Sequence, residues 1–186
     1  MTDISQAKIA ILATDGFEQS ELMEPLRQLR AAGARVSVVS LKSGSIKGWD
    51  KKDWGQPVDV DQTLAETQVD DFDALVLPGG QINPDILRAD ETAVSFVRDF
   101  FNSGKVVAAI CHAPWLLIEA GVIKGRKVTS YNSIRTDVQN AGGVWEDSAV
   151  VTDQGLITSR NPSDLDAFCA KIIEEVKEGR HNRRAA

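Results

Sequence analysis

The stretch that decides the fold is Val106-Val107-Ala108-Ala109-Ile110-Cys111-His112-Ala113-Pro114. Its first five residues are all apolar and predict a strand buried on both faces, while Pro114 suits the first turn of a helix. A turn this abrupt brings together the residues two before and two after its tip, so both must be small. Ala109 and Ala113 meet that requirement. The stretch therefore predicts a nucleophile elbow with Cys111 at its tip.

Outward from this elbow, short β-rich runs alternate with longer amphipathic stretches. That alternation is typical of an α/β protein with a mostly parallel sheet covered on both faces. We expect strands at 8–13, 35–41, 74–77, 106–110 and 127–130; helices at 17–32, 91–102, 111–120, 133–140 and from 162 onward; a hairpin within 42–56; and a late hairpin of 144–151 with 156–158.

The composition indicates one domain over residues 1–186, with a core at about 8–177 and a flexible tail at 178–186 that includes His181 and Arg183. A net charge of −6 disfavours broad binding to nucleic acid or anionic membrane. Two cysteines are too few for a secreted disulfide framework, and neither a leader pattern nor a membrane-length apolar run is visible. We therefore expect a cytoplasmic protein.

Cys111 and His112 are the first candidates for chemistry. The positive end of the following helix should stabilise a Cys111 thiolate, although a buried structural cysteine is the alternative. Cys169 lies within an amphipathic helix and is interpreted as core filler. His112 is the only histidine expected inside the folded body, and its ordinary pKa suits a general base. A structural or substrate-contacting role for His112 stays open, because consecutive helical residues do not face each other.

Two further features follow strands near the elbow. Gly79 and Gly80 end the strand at 74–77, where their amides could form an oxyanion hole with the amide of His112; a plain turn is the alternative. Glu18 follows the first strand and could enter the crevice as a protonated acid beside the thiol. Equally, Asp15 and Glu18 fit a helix-capping box.

Several separated motifs together resemble the PfpI family over about residues 8–176. They are Phe17-Glu18, Pro78-Gly79-Gly80, Ala109-Ile110-Cys111-His112, Gly121-Val122-Ile123 with Gly125-Arg126-Lys127, Asn140-Ala141-Gly142 and Thr158-Ser159-Arg160. The resemblance implies a flavodoxin-like three-layer sandwich, a reactive Cys111 hydrogen-bonded to Glu18, and Gly80 and His112 amides at the oxyanion position. It also implies that His112 pairs with an acidic residue of a neighbouring subunit, for which Asp85 is the candidate, so a homodimer or hexamer is expected.

This sequence departs from the family pattern at two places. Ala113 stands where the family commonly has glycine, and the turn after Gly80 is one residue longer, which weakens the assignment of Asp85. Relatives in another branch carry a histidine where this chain has Tyr131, so an imidazole must come from His112.

The function implied is a cysteine hydrolase with a role in stress response. It would act on small carbonyl adducts, as a deglycase or glyoxalase does, or on peptides. The alternative is a non-catalytic redox sensor or stress chaperone whose Cys111 is oxidised. A flavin-binding protein is disfavoured, because residues 13–20 lack a hydroxyl-rich phosphate loop. The sequence predicts no metal or other cofactor.

Overall fold

The computed structural model describes residues 3–182, and its centre is a seven-stranded sheet. The strand order is β11-β12-β8-β7-β1-β3-β6, and every pairing is parallel except that of β11 with β12. The strands are β1 Lys8–Leu12, β2 Phe17–Glu18, β3 Arg35–Ser40, β4 Ser45–Asp50, β5 Asp53–Asp59, β6 Gln62–Thr63, β7 Ala74–Leu77, β8 Val106–Ile110, β9 Lys127–Val128, β10 Val144–Trp145, β11 Val150–Asp153 and β12 Leu156–Ser159. The helices are α1 Gln19–Ala31, α2 Ile82–Arg88, α3 Glu91–Asn102, α4 Pro114–Glu119, α5 Arg135–Asn140 and α6 Leu165–Glu178.

Strand β8 shows why the sheet has helices on both faces. All five of its residues are buried, and successive side chains point to opposite faces of a strand. Val107 and Ala109 pack with helices α2 to α5, whereas Ala108 and Ile110 pack with α1 and α6. The predicted three-layer α/β sandwich with an inner strand at 106–110 is therefore confirmed.

The excursion after β3 forms a hairpin, as expected, and this hairpin belongs to a second sheet. Strands β4 and β5 pair antiparallel, and β4 pairs in parallel with β2 to make a separate three-stranded sheet. This arrangement explains why α1 begins at Gln19 and not at Phe17: the predicted first turn is instead the two-residue strand β2.

Strand β10 and helix α2 also differ from the predictions. Strand β10 does not continue into the late hairpin, but pairs in parallel with β9. Helix α2 was not predicted, although it directly follows the double glycine. Among the described residues, none of the helices combines the length and the apolar composition that crossing a membrane requires.

The beginning of the predicted tail is packed on the domain. The His181 amide donates to the carbonyl oxygen of Gly104 at 2.8 Å, and the His181 ring lies against Gly155. Its Nε2 lies 3.2 Å from a carboxylate oxygen of Glu175. The expectation that His112 is the only histidine inside the folded body is therefore wrong, while Arg183 and Arg184 lie outside the described residues.

Candidate active site

The carboxyl ends of β1, β7 and β8 meet at one edge of the sheet, as parallel strands require, and a pocket of about 330 Å³ opens there. Cys111 and His112 line it from the end of β8, and Gly80 lines it from the end of β7. The remaining lining residues are Gly16, Trp49, Gln81, Ile82 and Tyr131. None of these eight side chains is an acid, a lysine or an arginine, so the pocket suits a small, uncharged group.

Cys111 occupies the tip of a nucleophile elbow. Its φ of +64° lies in the left-handed region, which costs a residue with a side chain on the order of 1–3 kcal/mol. Its amide donates to the Ser159 carbonyl oxygen at 3.0 Å, which anchors the turn to β12. Ala109 and Ala113, the two small residues required by the turn, are buried. The predicted elbow is confirmed, although α4 begins only at Pro114.

Glu18 does not hydrogen-bond to the thiol in this structure. It is the N-cap residue of α1, where one carboxylate oxygen accepts from the Glu21 amide at 2.8 Å and from the Ser20 hydroxyl at 2.6 Å. The capping alternative was wrong in its detail, because Asp15 does not cap this helix. The Asp15 carboxylate instead accepts from the Lys47 amide of β4 at 2.7 Å.

Glu21 takes the position beside Cys111 that was expected for Glu18. Its side chain is fully buried, and Oε2 accepts from the Gly79 amide at 2.8 Å. Burial raises the pKa of Glu21 to about 8, and the charge of Glu18 adds to the shift. Oε1 has no hydrogen-bond partner with a recorded distance among the described residues. Glu21 is therefore protonated at neutral pH, and its side chain is a hydrogen-bond partner of the Cys111 thiol.

The Cys111 thiol is only 5% exposed, and burial raises its pKa above the ordinary value; a negative charge on Glu21 raises it further. The amides of Gly80 and His112 act in the opposite direction by donating toward sulfur. Burial and Glu21 therefore oppose the stabilisation of the thiolate that is expected from the following helix. The thiolate becomes accessible only while Glu21 stays neutral, because two adjacent buried negative charges oppose each other.

His112 contacts the thiol directly, despite being its neighbour in the chain. Its Nδ1 lies 3.1 Å from Cys111 Sγ, which the turn at Cys111 permits and a regular helix would not. The ring is buried, and burial lowers the pKa of His112. A neutral imidazole at this position can accept the thiol proton.

The two predicted glycines differ in what their amides do. The Gly79 amide already donates to Glu21, so it does not serve an oxyanion. The Gly80 amide points toward the sulfur, as does that of His112, and this pair is the remaining candidate oxyanion hole. Asn83, which the sequence analysis missed, holds the turn in place: its buried side-chain amide donates to the carbonyl oxygens of Pro78 and Gly79 at 2.9 and 3.3 Å.

Asp85 is not brought to His112 within the chain. It lies on α2, where its carboxylate forms an ion pair with Arg88 at 2.6 Å, and its side chain is 60% exposed. The pairing of His112 with Asp85 of a neighbouring subunit therefore stays a prediction.

Comparisons with known proteins show the family to which this fold belongs. The sequence model of the DJ-1/PfpI family matches residues 7–175. The chain is 48% identical to protein/nucleic acid deglycase 2 of Escherichia coli, covering 87% of this chain and 92% of that protein. It is 46% identical to deglycase TK1284 of Thermococcus kodakarensis, covering 90% and 98%. It is also 41% identical to YraA of Bacillus subtilis, named as a candidate cysteine protease, covering 91% and 98%.

Solved structures give the same result. A two-domain protein of Anabaena variabilis, with DJ-1/ThiJ/PfpI-like and ferritin-like domains, superposes with a TM-score of 0.87 at 36% identity. The match covers 92% of this chain and 48% of that one. With the family match spanning nearly its whole length, the chain belongs to the DJ-1/PfpI family.

Proposed function

We propose that the protein is a cysteine-dependent hydrolase that removes small carbonyl adducts from amines, as a deglycase does. The observation that supports this most directly is the thiol of Cys111, held on a strained turn between an acid and an imidazole and facing a small pocket. Relatives at 46% and 48% identity are named deglycases. The pocket volume of about 330 Å³ is near the lower end for small-molecule sites and favours a short adduct over a folded chain.

The chemistry can be written for the adduct of an amine with a 2-oxoaldehyde. The thiol replaces the amine at the aldehyde-level carbon, so a C–N bond breaks, a C–S bond forms and the thiol proton leaves with the amine. A proton then moves from that carbon to its neighbour, and the hydroxyl proton moves to the neighbouring carbonyl oxygen, which turns the hemithioacetal into a thioester of a 2-hydroxy acid. Water hydrolyses the thioester. One carbon is oxidised while the next is reduced, so no external oxidant is needed.

The residues of the site supply what these steps require. His112 Nδ1 accepts the thiol proton and returns it to the leaving amine. The Gly80 and His112 amides stabilise negative charge on the adduct oxygen. Glu21, being protonated at neutral pH, does not oppose the thiolate and can donate to it.

The test is release of 2-hydroxy acid from methylglyoxal-treated N-acetyl-lysine. Cys111→Ser should abolish release, whereas Cys169→Ala should retain it, because Cys169 is a buried residue of α6 that does not line the pocket. Circular dichroism should show that both variants fold. Equal activity in Cys111→Ser would contradict the proposal.

Cleavage of peptides without adduct turnover would favour a peptidase, and oxidation of Cys111 without any turnover would favour a redox sensor.

A further inference from the structure

Both ring nitrogens of His112 have a partner within the chain. Nδ1 lies 3.1 Å from Cys111 Sγ, and Nε2 lies 3.1 Å from the Ser133 hydroxyl oxygen. A neutral imidazole has one N–H, so its two partners decide which nitrogen carries the proton. For Nδ1 to accept the thiol proton, the hydrogen must reside on Nε2.

Ser133 is tied to the elbow although 22 positions separate it from Cys111 in the sequence. The amide of Tyr131 donates to the Cys111 carbonyl oxygen at 2.8 Å. The amide of Ile134 then donates to the Tyr131 carbonyl oxygen at 3.2 Å and closes a single turn that contains Ser133. The hydroxyl therefore faces His112 from a segment that is fixed to the nucleophile itself.

Two aromatic side chains also fix the position of the His112 imidazole ring. Tyr131 stacks on it with ring centroids 4.8 Å apart, and Trp115 contacts it edge-on at 5.1 Å. Trp115 is fixed in turn by its Nε1, which donates to Asp137 at 2.9 Å. Because the ring position is held by packing, the main freedom left to His112 is its choice of tautomer.

We propose that Ser133 is a positioning residue that accepts a hydrogen bond from His112 Nε2–H and so keeps Nδ1 unprotonated toward the thiol. When Cys111 transfers its proton to Nδ1, the resulting imidazolium keeps its Nε2–H on the Ser133 oxygen. This inference rests on the proposed function in one respect, namely that Cys111 is the nucleophile.

Ser133 is the only side chain among residues 3–182 that is within hydrogen-bond distance of His112 Nε2. Among residues 3–182, no carboxylate makes a hydrogen bond to the ring, and Asp85 is paired with Arg88. Two titratable groups contact the imidazole ring: the Cys111 thiol at Nδ1 and the Tyr131 side chain on one face. Glu21 lies on the other side of the Cys111 thiol. Asp137 and Arg88 lie one side chain further out, both on Trp115.

The first test reads the tautomer directly by long-range proton–nitrogen NMR of ring-labelled protein at pH 7.5. Ser133→Ala removes the acceptor, Ser133→Thr retains a hydroxyl, and Ser43→Ala is the matched control in an exposed turn. We expect Nε2–H in the wild type, Ser133→Thr and Ser43→Ala, and a mixture of tautomers in Ser133→Ala. The NMR signal of the tautomer does not require turnover. The role of Ser133 can therefore be tested even if the proposed deglycase activity is absent.

The second test is kinetic. Ser133→Ala should lower kcat about threefold to tenfold, the range for losing one hydrogen bond, with KM within about twofold and recovery in Ser133→Thr. The acid limb of the pH–rate profile should move to lower pH, because the imidazolium loses an acceptor and its pKa falls. An Nδ1–H tautomer in the wild type, or an unchanged tautomer in Ser133→Ala, would overturn the inference. So would a pH profile that Asp85→Asn shifts and Ser133→Ala does not.

Discussion

At the scale of single residues, the acid of the site is Glu21, three positions beyond the one that the sequence analysis selected. Glu18 was chosen because it follows the first strand, but that position caps the helix. A usable signal was present in the pattern of α1: Glu21 lies on the same face as Pro25 and Leu29, both buried, where an unpaired carboxylate would be costly. A charged residue on an apolar helix face was thus better evidence for a site than proximity to the strand end.

The burial of Glu21 should appear in the pH dependence of stability. Its pKa rises from 4.5 to about 8 on folding, so the folded protein keeps a proton that the unfolded chain releases above pH 4.5. The free energy of unfolding should therefore fall as pH rises from about 4.5 to 8, by at most about 5 kcal/mol from this group. Urea unfolding at pH 5 and pH 7.5 should show a smaller fall in Glu21→Gln than in the wild type.

The control for this measurement is Glu119→Gln, which makes the same change at an exposed site on α4. It should reproduce the wild-type fall. If Glu21→Gln also reproduced it, Glu21 would be ionised in the folded protein at neutral pH, contrary to the account given above.

At the scale of elements, the sequence predicted the strands that consist of continuous apolar runs. It missed short strands that are defined only by pairing with a neighbouring strand. Strands β7 and β8 match their predicted bounds, since their continuous apolar runs are buried on both faces. Strand β2, which was predicted as the first turn of a helix, has only two residues, too few to show a period, and its pairing with β4 alone defines it. Helix α2 was missed because its seven residues include Pro84 and begin directly after a glycine turn.

The turn between β7 and α2 gives a prediction at this scale. A Cβ added at Gly79 would lie 2.5 Å from Glu21 Oε2, 2.6 Å from Cys111 Cβ and 2.7 Å from the Ile110 carbonyl oxygen. Gly79→Ala should therefore displace the turn, destabilise the fold by about 2–3 kcal/mol and reduce Cys111 reactivity. Gly44→Ala is the comparison: its φ is +100° but nothing lies within 4 Å, so it should cost only about 1 kcal/mol. Equal losses in urea unfolding would contradict this reading of the turn.

At the scale of the whole molecule, the sheet brings together groups that are far apart in the sequence. Glu21 follows β1, Gly80 follows β7, and Cys111 follows β8, while Ser133 reaches the site through a turn after β9. The sequence could predict that strand ends converge, but not which side chains point inward. Ser133 was missed because its role depends on one backbone hydrogen bond, from Tyr131 to Cys111, that no local pattern indicates.

An oligomer, expected from the family resemblance, stays a prediction, and it can be separated from catalysis. Because His112 finds an acceptor within its own chain, specific activity per chain should not change when any assembly dissociates on dilution. Sedimentation velocity and adduct turnover over the same concentration range test this. Activity that falls together with dissociation would indicate that a neighbouring subunit completes the site, with Asp85 as the first candidate.

The reactivity of Cys111 depends most on its coupling to Glu21, and the pH dependence of Cys111 alkylation by iodoacetamide measures this coupling directly. The comparison needs the wild type, Glu21→Gln and Glu18→Gln. In the wild type, a neutral Glu21 donates to the thiolate below about pH 8 and opposes it above, so the profile should bend near pH 8. Glu21→Gln should slow alkylation near pH 7 and remove the bend, whereas Glu18→Gln should keep it. A bend that survives in Glu21→Gln, or is lost in Glu18→Gln alone, would contradict the account.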